Sequence, residues 1–343
     1  MKPLLILDQH FRRRAELFSD EAYAALGDLV CIEGGEDRPM DPARVAALLP
    51  EATFYVAAEP RIDAAQVAAA TDLRAVIEVS GAFQDGPDHA ALGARGVEIL
   101  SCSPGFAPAV AEMAMAMILA GARGLVDQHE AFRRGEEAWL DDRAGRDVTL
   151  RGARVGFVGY GRIARETHRL LAPFGAEVAA HDPWLAEAPV PLLGLGDLAA
   201  RSRILVVAAV PSAENAGMID RDVIGRTPPG ALVVLVSRAH CVDFDALVEA
   251  AAAGRIVLAT DVFPEEPLPP DHPIRTAPNV VLSPHRAAAV EGGRRPIGDA
   301  LLHDVRAILD GRPERRLLRA DPARIAGLVA AQRSLPDPST QMA

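Results

Sequence analysis

"RVGFVGYGRIARETHRLLAPFGAEVAAHD" occupies residues 154–182 and reads as strand, glycine turn, helix and second strand, closed by an aspartate. Gly159, Gly161 and Ala164 stand at the G-x-G-x-x-G/A positions. The first glycine permits the tight turn, the second lets a pyrophosphate approach the backbone, and the small third residue lets helix and strand pack closely. The helix start would then turn the unpaired N–H groups of Arg162 and Ile163 toward the phosphates. Asp182 ends the following strand, about 20 residues on, where a carboxylate accepts ribose hydroxyls and repels a 2′-phosphate. Pro183 and Trp184 follow it instead of an arginine, so NAD is expected rather than NADP. "GLGDLA" at 194–199 matches the same pattern, but it follows "PVPLL", a poor strand. It is expected to be a loop and a helix start.

The turn comes late because a whole α/β domain precedes it. "PLLILD", "VCIEG", "ATFYVAA", "RAVIEV" and "VEILSC" read as strands, with helical segments between them and Ser19 capping "DEAYAALGDL". Continuous apolar strands alternating with helices predict a parallel sheet covered on both faces. "PAVAEMAMAMILAGARG" (108–124) is a helix apolar nearly all round, expected to be buried between domains or at a subunit interface. A polar segment, 125–148, leads to the second run of strands: "VGFVG", "EVAAHD", "ILVVAAV", "ALVVLVS", "IVLATDV" and "NVVLSP". Helices at 291–311 and 322–334 and a disordered tail complete the reading. The fold class is α/β, with two doubly wound parallel-sheet domains, as expected for 343 residues.

Composition narrows the function. A net charge of -11 argues against nucleic acid, and Arg12, Arg13 and Arg14 read as a solvated helix face. Lys2 is the only lysine, which excludes Schiff-base and P-loop chemistry. Cys31, Cys102 and Cys241 have neither disulfide nor metal-ligand spacing, so no metal is expected. The start is too short in apolar residues for a signal peptide, and no apolar run approaches the ~18 residues of a membrane span. No membrane association and a cytoplasmic location are expected.

Three later segments carry candidate chemistry. "LVSRAHCVD" delivers Arg238, "TDVFPEEPLP" delivers Asp261 with Glu265 and Glu266, and "VVLSPHRAAA" delivers His285. Each leaves a strand at its carboxyl end, the edge where open α/β sheets bind ligands. An arginine can grip a carboxylate and polarise the neighbouring carbonyl. A histidine supplies the alcohol proton that hydride transfer to a ketone requires, and a nearby carboxylate stabilises the imidazolium. Of the nine histidines, His240 is the nearest competitor, two residues after Arg238.

With these motifs the chain resembles the D-isomer-specific 2-hydroxyacid dehydrogenase family, the group containing D-3-phosphoglycerate dehydrogenase. The resemblance implies substrate binding by Arg238, pairing of Glu266 with His285, and Asp261 beside the nicotinamide carboxamide. Val236 and Ser237, leading into Arg238, are counted with the cofactor-binding residues. It implies a flavodoxin-like substrate domain of residues 1–103 plus 291–343, completed by the C-terminal helix, and a Rossmann NAD-binding domain of residues 104–290. A homodimer joined through the nucleotide domain is expected, with a small 2-keto or 2-hydroxy acid as substrate. L-specific lactate and malate dehydrogenases place the glycine turn near the N-terminus, and formate dehydrogenases of this fold carry glutamine where Glu266 stands.

The chain departs from the family pattern at the substrate loop. "SGAFQDGPDH" places Phe83 at the second glycine of a G-x-G, with backbone amides of Gly81 and Ala82 expected to hold the substrate carboxylate. A bulky Phe83 is expected either to reshape substrate choice from over the cleft or to mark a different loop path. Ala107, Ala239 and "HRAAA" also replace the usual residues. Two other readings stand beside the 2-hydroxyacid dehydrogenase: an NAD-sensing corepressor-like binding protein of this fold, and a dehydrogenase of an unusual small oxyanion.

Overall fold

The computed structural model describes residues 2–9, 13–81, 83, 85–137, 139, 147–321 and 325. It divides into two compact units, one from the described residues up to Ala107 together with those from Ala288 onward, the other Pro108–Ala287. Strands β1 (Leu4–Asp8), β2 (Cys31–Gly34), β3 (Ala52–Ala57), β4 (Ala75–Glu78) and β5 (Glu98–Ser101) lie in the first unit. Strands β6 (Arg154–Val158), β7 (Glu177–His181), β8 (Ile204–Val207), β9 (Ala231–Leu235), β10 (Ile256–Thr260) and β11 (Val280–Leu282) form the second, and β12 (Leu318–Arg319) returns to the first.

The first sheet has the order β12-β5-β4-β3-β1-β2 and is parallel except for the two-residue β12, antiparallel to β5. Period-two alternation loads both faces. Leu5, Leu7, Phe54 and Val56 pack with Leu17, Leu26 and the closing helix Arg295–Leu309 through Ile297, Leu301 and Val305. Ile6, Tyr55 and Val76 face the other way, onto Val45, Leu49, Val67 and Leu92. Each such side chain, fully buried, contributes about 1.5–3 kcal/mol. Aspartates start several crossover helices: Asp41, Asp63 and Asp88 each accept a backbone N–H of the first turn, and Ser19 does so from Ala22.

The second sheet is wholly parallel, in the order β11-β10-β9-β8-β6-β7. The order reverses at β6, between β7 and β8, which makes the carboxyl end of β6 the switch point where ligands bind. A third outer strand beyond β7 is reduced to one parallel bridge, Ala180 with Leu192. That bridge belongs to "PVPLL", where prolines remove ladder donors, and the helix Leu195–Arg201 follows as the decoy motif requires. The polar segment after residue 124 contains a helix, Leu125–Arg134, that the mixed composition concealed.

One expectation fails. Ser103–Ala122 is a continuous helical run of 20 residues, long and apolar enough to cross a membrane by length and composition. Glu112 is its only charged residue. Its most apolar window is 56% buried, and the core helix of a folded domain meets the same two criteria. The closing helix is shorter than 291–311, at Arg295–Leu309, because Pro296 sits in its first turn. The helix expected at 322–334 and the tail lie outside the described residues, apart from Ile325.

Candidate active site

The glycine turn closes β6. Gly159 holds φ +82, and a Cβ on it would lie 2.5 Å from the Ala209 Cα, so only glycine fits. Its N–H donates to the His181 carbonyl at 2.8 Å. Gly161 caps the helix Arg162–Leu171, and nothing lies within 4 Å of a Cβ built there. That open side is where a pyrophosphate would meet the helix N-terminus and the amides of Arg162 and Ile163. Ala164 is fully buried where helix and strand pack.

Asp182 is tied to the turn it serves. Its Oδ2 accepts the Tyr160 N–H at 2.9 Å and its Oδ1 the Trp184 N–H at 3.0 Å. A carboxylate oxygen has a second lone pair, which leaves capacity for ribose hydroxyls. Tyr160, which sequence reasoning passed over, is buried, and its hydroxyl shares a hydrogen bond with His168 Nδ1 at 2.6 Å. Burial pushes the Tyr160 phenol up, against the Arg165 charge, and pushes His168 down. At the end of β9, Val236 and Ser237 are buried, and Ser237 Oγ has no hydrogen-bond partner among the described residues. A buried orphan hydroxyl, an open glycine turn and a carboxylate just past the end of β7 fit a bound NAD(H).

The proton-transfer groups lie in the same unit. Glu266 Oε2 meets His285 Nδ1 at 2.5 Å, and its Oε1 accepts the Phe263 N–H at 2.9 Å. Burial raises the Glu266 carboxyl, but the hydrogen bond and charge of His285, the Phe263 amide and Arg238 outweigh it and hold the group below the usual carboxylate range. His285 is exposed and sits at φ +50, a left-handed conformation uncommon for a side-chain-bearing residue. Arg238 is partly accessible to solvent, yet desolvation pulls its pKa down against the opposing charges of Glu266, Cys241 and Asp261. Its Nη1 donates to the Ser237 carbonyl at 2.8 Å, which anchors the fork. The competing histidine is otherwise engaged: His240 Nε2 meets the Ser212 carbonyl at 2.9 Å. Glu265 is exposed, so of the acidic pair only Glu266 turns to the histidine.

Asp261 does more than the sequence indicated. It is 1% exposed, and its Oδ1 accepts the Ser283 hydroxyl at 2.5 Å and the Arg286 N–H at 2.8 Å, while Oδ2 accepts the Ala287 N–H at 2.9 Å. These bonds bracket His285 from both sides and hold its loop against the end of β10. Ser283, inside the S-P-H segment, is the partner that sequence reasoning did not single out.

The substrate loop needs two corrections. Phe83 is 4% exposed and packs with Ile325, Ile99 and Ala320, so it belongs to a small core and does not overhang a cleft. The Gly81 amide donates to Glu78 Oε2 at 2.8 Å and is therefore already engaged. Ala82 lies outside the described residues. Glu78 was legible only as an anomaly, a carboxylate in the apolar run "RAVIEV". Among the described residues no group of three or more metal-ligating side chains gathers.

A parallel-sheet unit with a phosphate turn at its switch point and an Arg, Glu, His constellation at the same strand ends has the make-up of a nicotinamide-nucleotide-binding domain. The chain belongs to the D-isomer specific 2-hydroxyacid dehydrogenase family, whose NAD-binding domain model matches residues 115–287. It is 33% identical over 307 residues to D-3-phosphoglycerate dehydrogenase of Mycobacterium bovis, covering 87% of this chain and 56% of that protein. The chain thus spans little more than half the length of that relative. It is 30% identical over 261 residues to glyoxylate reductase of Thermofilum pendens, covering 73% of this chain and 76% of the other. Among solved structures, a phosphoglycerate oxidoreductase from Rhizobium etli superposes with a TM-score of 0.82 at 33% identity, covering 93% of this chain and 99% of that one.

Proposed function

We propose that this chain is an NAD(H)-dependent oxidoreductase that interconverts a 2-keto acid and a D-2-hydroxy acid. The observation that carries the reading is the Glu266–His285 pair at 2.5 Å, within the electrostatic reach of Arg238 and in the unit that bears the glycine turn. NAD(H), when bound, supplies or accepts the hydride. Arg238 grips the substrate carboxylate with its planar fork and polarises the adjacent carbonyl. His285 gives its proton to the nascent alkoxide, or takes it in the reverse direction. Glu266 accepts from Nδ1–H, which fixes the ring and leaves Nε2 as the nitrogen that gains and loses the reaction proton. Asp261 keeps the His285 loop in place while the proton moves.

Relatives named D-3-phosphoglycerate dehydrogenase, glyoxylate reductase and hydroxypyruvate reductase support the reaction class. With the Gly81 amide engaged, carboxylate recognition falls to Arg238. A homodimer is part of the proposal, supported by exposed apolar side chains after residue 124: Leu125 at 61%, Phe132 at 60% and Trp139 at 76%. The acidic balance supports a small-molecule partner in place of nucleic acid, and a cytoplasmic, membrane-free setting is proposed with it. The test follows NADH oxidation over a panel of 2-keto acids, with NADPH in parallel and the product resolved on a chiral column. Turnover with NADH to the D-product is expected. An L-product, or turnover only with NADPH, would contradict the proposal.

A further inference from the structure

Within the second unit, one side chain ties the segment that leaves β8 to the segment that carries Arg238 out of β9. His240 sits on the single tight turn Ala239–Cys241, two residues after Arg238, and is half-buried. Its Nε2 lies 2.9 Å from the Ser212 carbonyl. A carbonyl oxygen only accepts, so Nε2 carries the hydrogen in either charge state of the ring, and the bond does not depend on titration. The Ser212 side is itself ordered. Ser212 N–H donates to Asn215 Oδ1 at 2.8 Å, and Asn215 Nδ2 donates to the Val210 carbonyl at 2.7 Å. Further along, Gly217 N–H donates to the His240 carbonyl at 2.8 Å and Ile219 N–H to the Cys241 carbonyl at 3.1 Å. These are backbone bonds, so the two segments stay joined without the imidazole.

The β8 segment also touches the cofactor turn. A Cβ on Gly159 would lie 2.5 Å from the Ala209 Cα, and the Cys241 thiol donates to the Ala209 carbonyl at 3.7 Å. Contacts therefore run from the glycine turn through Ala209 and Ser212 to His240, two residues from Arg238. The Arg238 guanidinium is bonded to the carbonyl of its own neighbour, Ser237, so the direction of its fork follows the backbone of this turn.

We propose that His240 is a positioning residue for Arg238. By holding the Ser212 carbonyl it fixes the turn after Arg238 against the segment beside the glycine turn, and so sets where the guanidinium stands relative to that turn. His240 exchanges no proton with substrate, because its Nε2 hydrogen is committed to the carbonyl. The inference rests on the 2-keto acid reading, in which Arg238 grips the carboxylate.

The test compares His240→Ala, His240→Gln and His240→Asn with the wild type on its best 2-keto acid. The Gln amide nitrogen reaches the place of Nε2, the Asn amide nitrogen only that of Nδ1, and Ala has no donor. His240→Ala and His240→Asn are expected to raise KM for the keto acid about tenfold and to lower kcat about fivefold, as for a displaced substrate grip, with the NADH dissociation constant within about threefold. His240→Gln is expected to return both parameters to within about threefold of wild type. A side chain that only filled space would show no such order between Gln and Asn. Wild-type kinetics in His240→Ala, failure of Gln to restore them, restoration by Asn, or a loss confined to NADH binding would overturn the inference. If His240→Ala does not fold, the contrast between Gln and Asn decides. If the wild type turns over no 2-keto acid, the oxidoreductase reading fails. The inference is then read by calorimetric titration of pyruvate into NAD+-loaded protein, where weaker binding in Ala and Asn but not in Gln upholds it, and equal or no binding overturns it.

Discussion

The two sheets place carboxylates at the same kind of position and use them differently. In the second unit, Asp182, Asp261 and Glu266 sit at or just beyond strand ends, and each hydrogen-bonds a backbone amide near the groups proposed to do the chemistry. Glu266 also keeps one oxygen on His285. In the first unit, Glu78 turns its Oε2 wholly inward, onto the amides and hydroxyl of its own loop. A carboxylate at a strand end is thus a tool in one unit and a strut in the other. Its partners decide which, and the residue type does not.

The sharpest way to break this contrast is at Arg238, a cation within the electrostatic reach of both Glu266 and Asp261. Arg238→Ala is expected to lower kcat/KM by about 1000-fold or more, because it removes both carboxylate grip and carbonyl polarisation. NADH affinity, measured by fluorescence titration, should change only a few-fold. Glu266→Gln comes next, with kcat expected to fall on the order of 100-fold as the imidazolium loses its counter-charge. The same variant checks the sign of the electrostatics. The Glu266 pKa is depressed in the folded state, so its stabilisation is present above the unfolded carboxyl value and lost as pH falls through the folded one. The gap in Tm between wild type and variant should therefore be full near neutral pH and close in acid.

Asp261→Asn sharpens the strut side of the comparison within the second unit. It weakens the bonds to Ser283, Arg286 and Ala287 without touching the Glu266–His285 pair. A loss of about tenfold in kcat is expected, as for a displaced positioning residue. Retention of full activity would assign Asp261 to packing alone. The smallest effect belongs to Phe83→Leu. As a core side chain beside Ile325 and Ile99, it should lower stability by about 1 kcal/mol in a denaturant titration and leave kcat/KM within about twofold.

How much was legible follows the same division. Strand and helix order, the glycine turn and Asp182 were readable because each depends on local pattern: apolar periodicity, a turn that requires glycine, or a polar residue at a strand end; the pairing of Glu266 with His285 came only from the family resemblance. The outer bridge at Leu192, the strand β12 and the helix Leu125–Arg134 were not, since two are too short for periodicity and the third is mostly polar. Long-range hydrogen bonds were equally hidden. Tyr160 with Asp182 and Asp261 with Ala287 join residues 22 and 26 positions apart. Phe83 was left between two readings because its sequence position, at a substituted glycine, says nothing about which way the side chain turns. The apolar run at Ser103–Ala122 was underestimated because prolines and a single glutamate divide it to the eye, though not in the helix.

The most direct measurement is single-turnover stopped-flow of bound NADH with the best 2-keto acid, in wild type and His285→Ala, alongside NADH dissociation constants for both. The proton-transfer role of the Glu266–His285 pair requires the oxidation rate to fall by about 100-fold or more, with the dissociation constant held within about threefold. Retained oxidation in His285→Ala, or parallel loss of rate and NADH affinity, would contradict it.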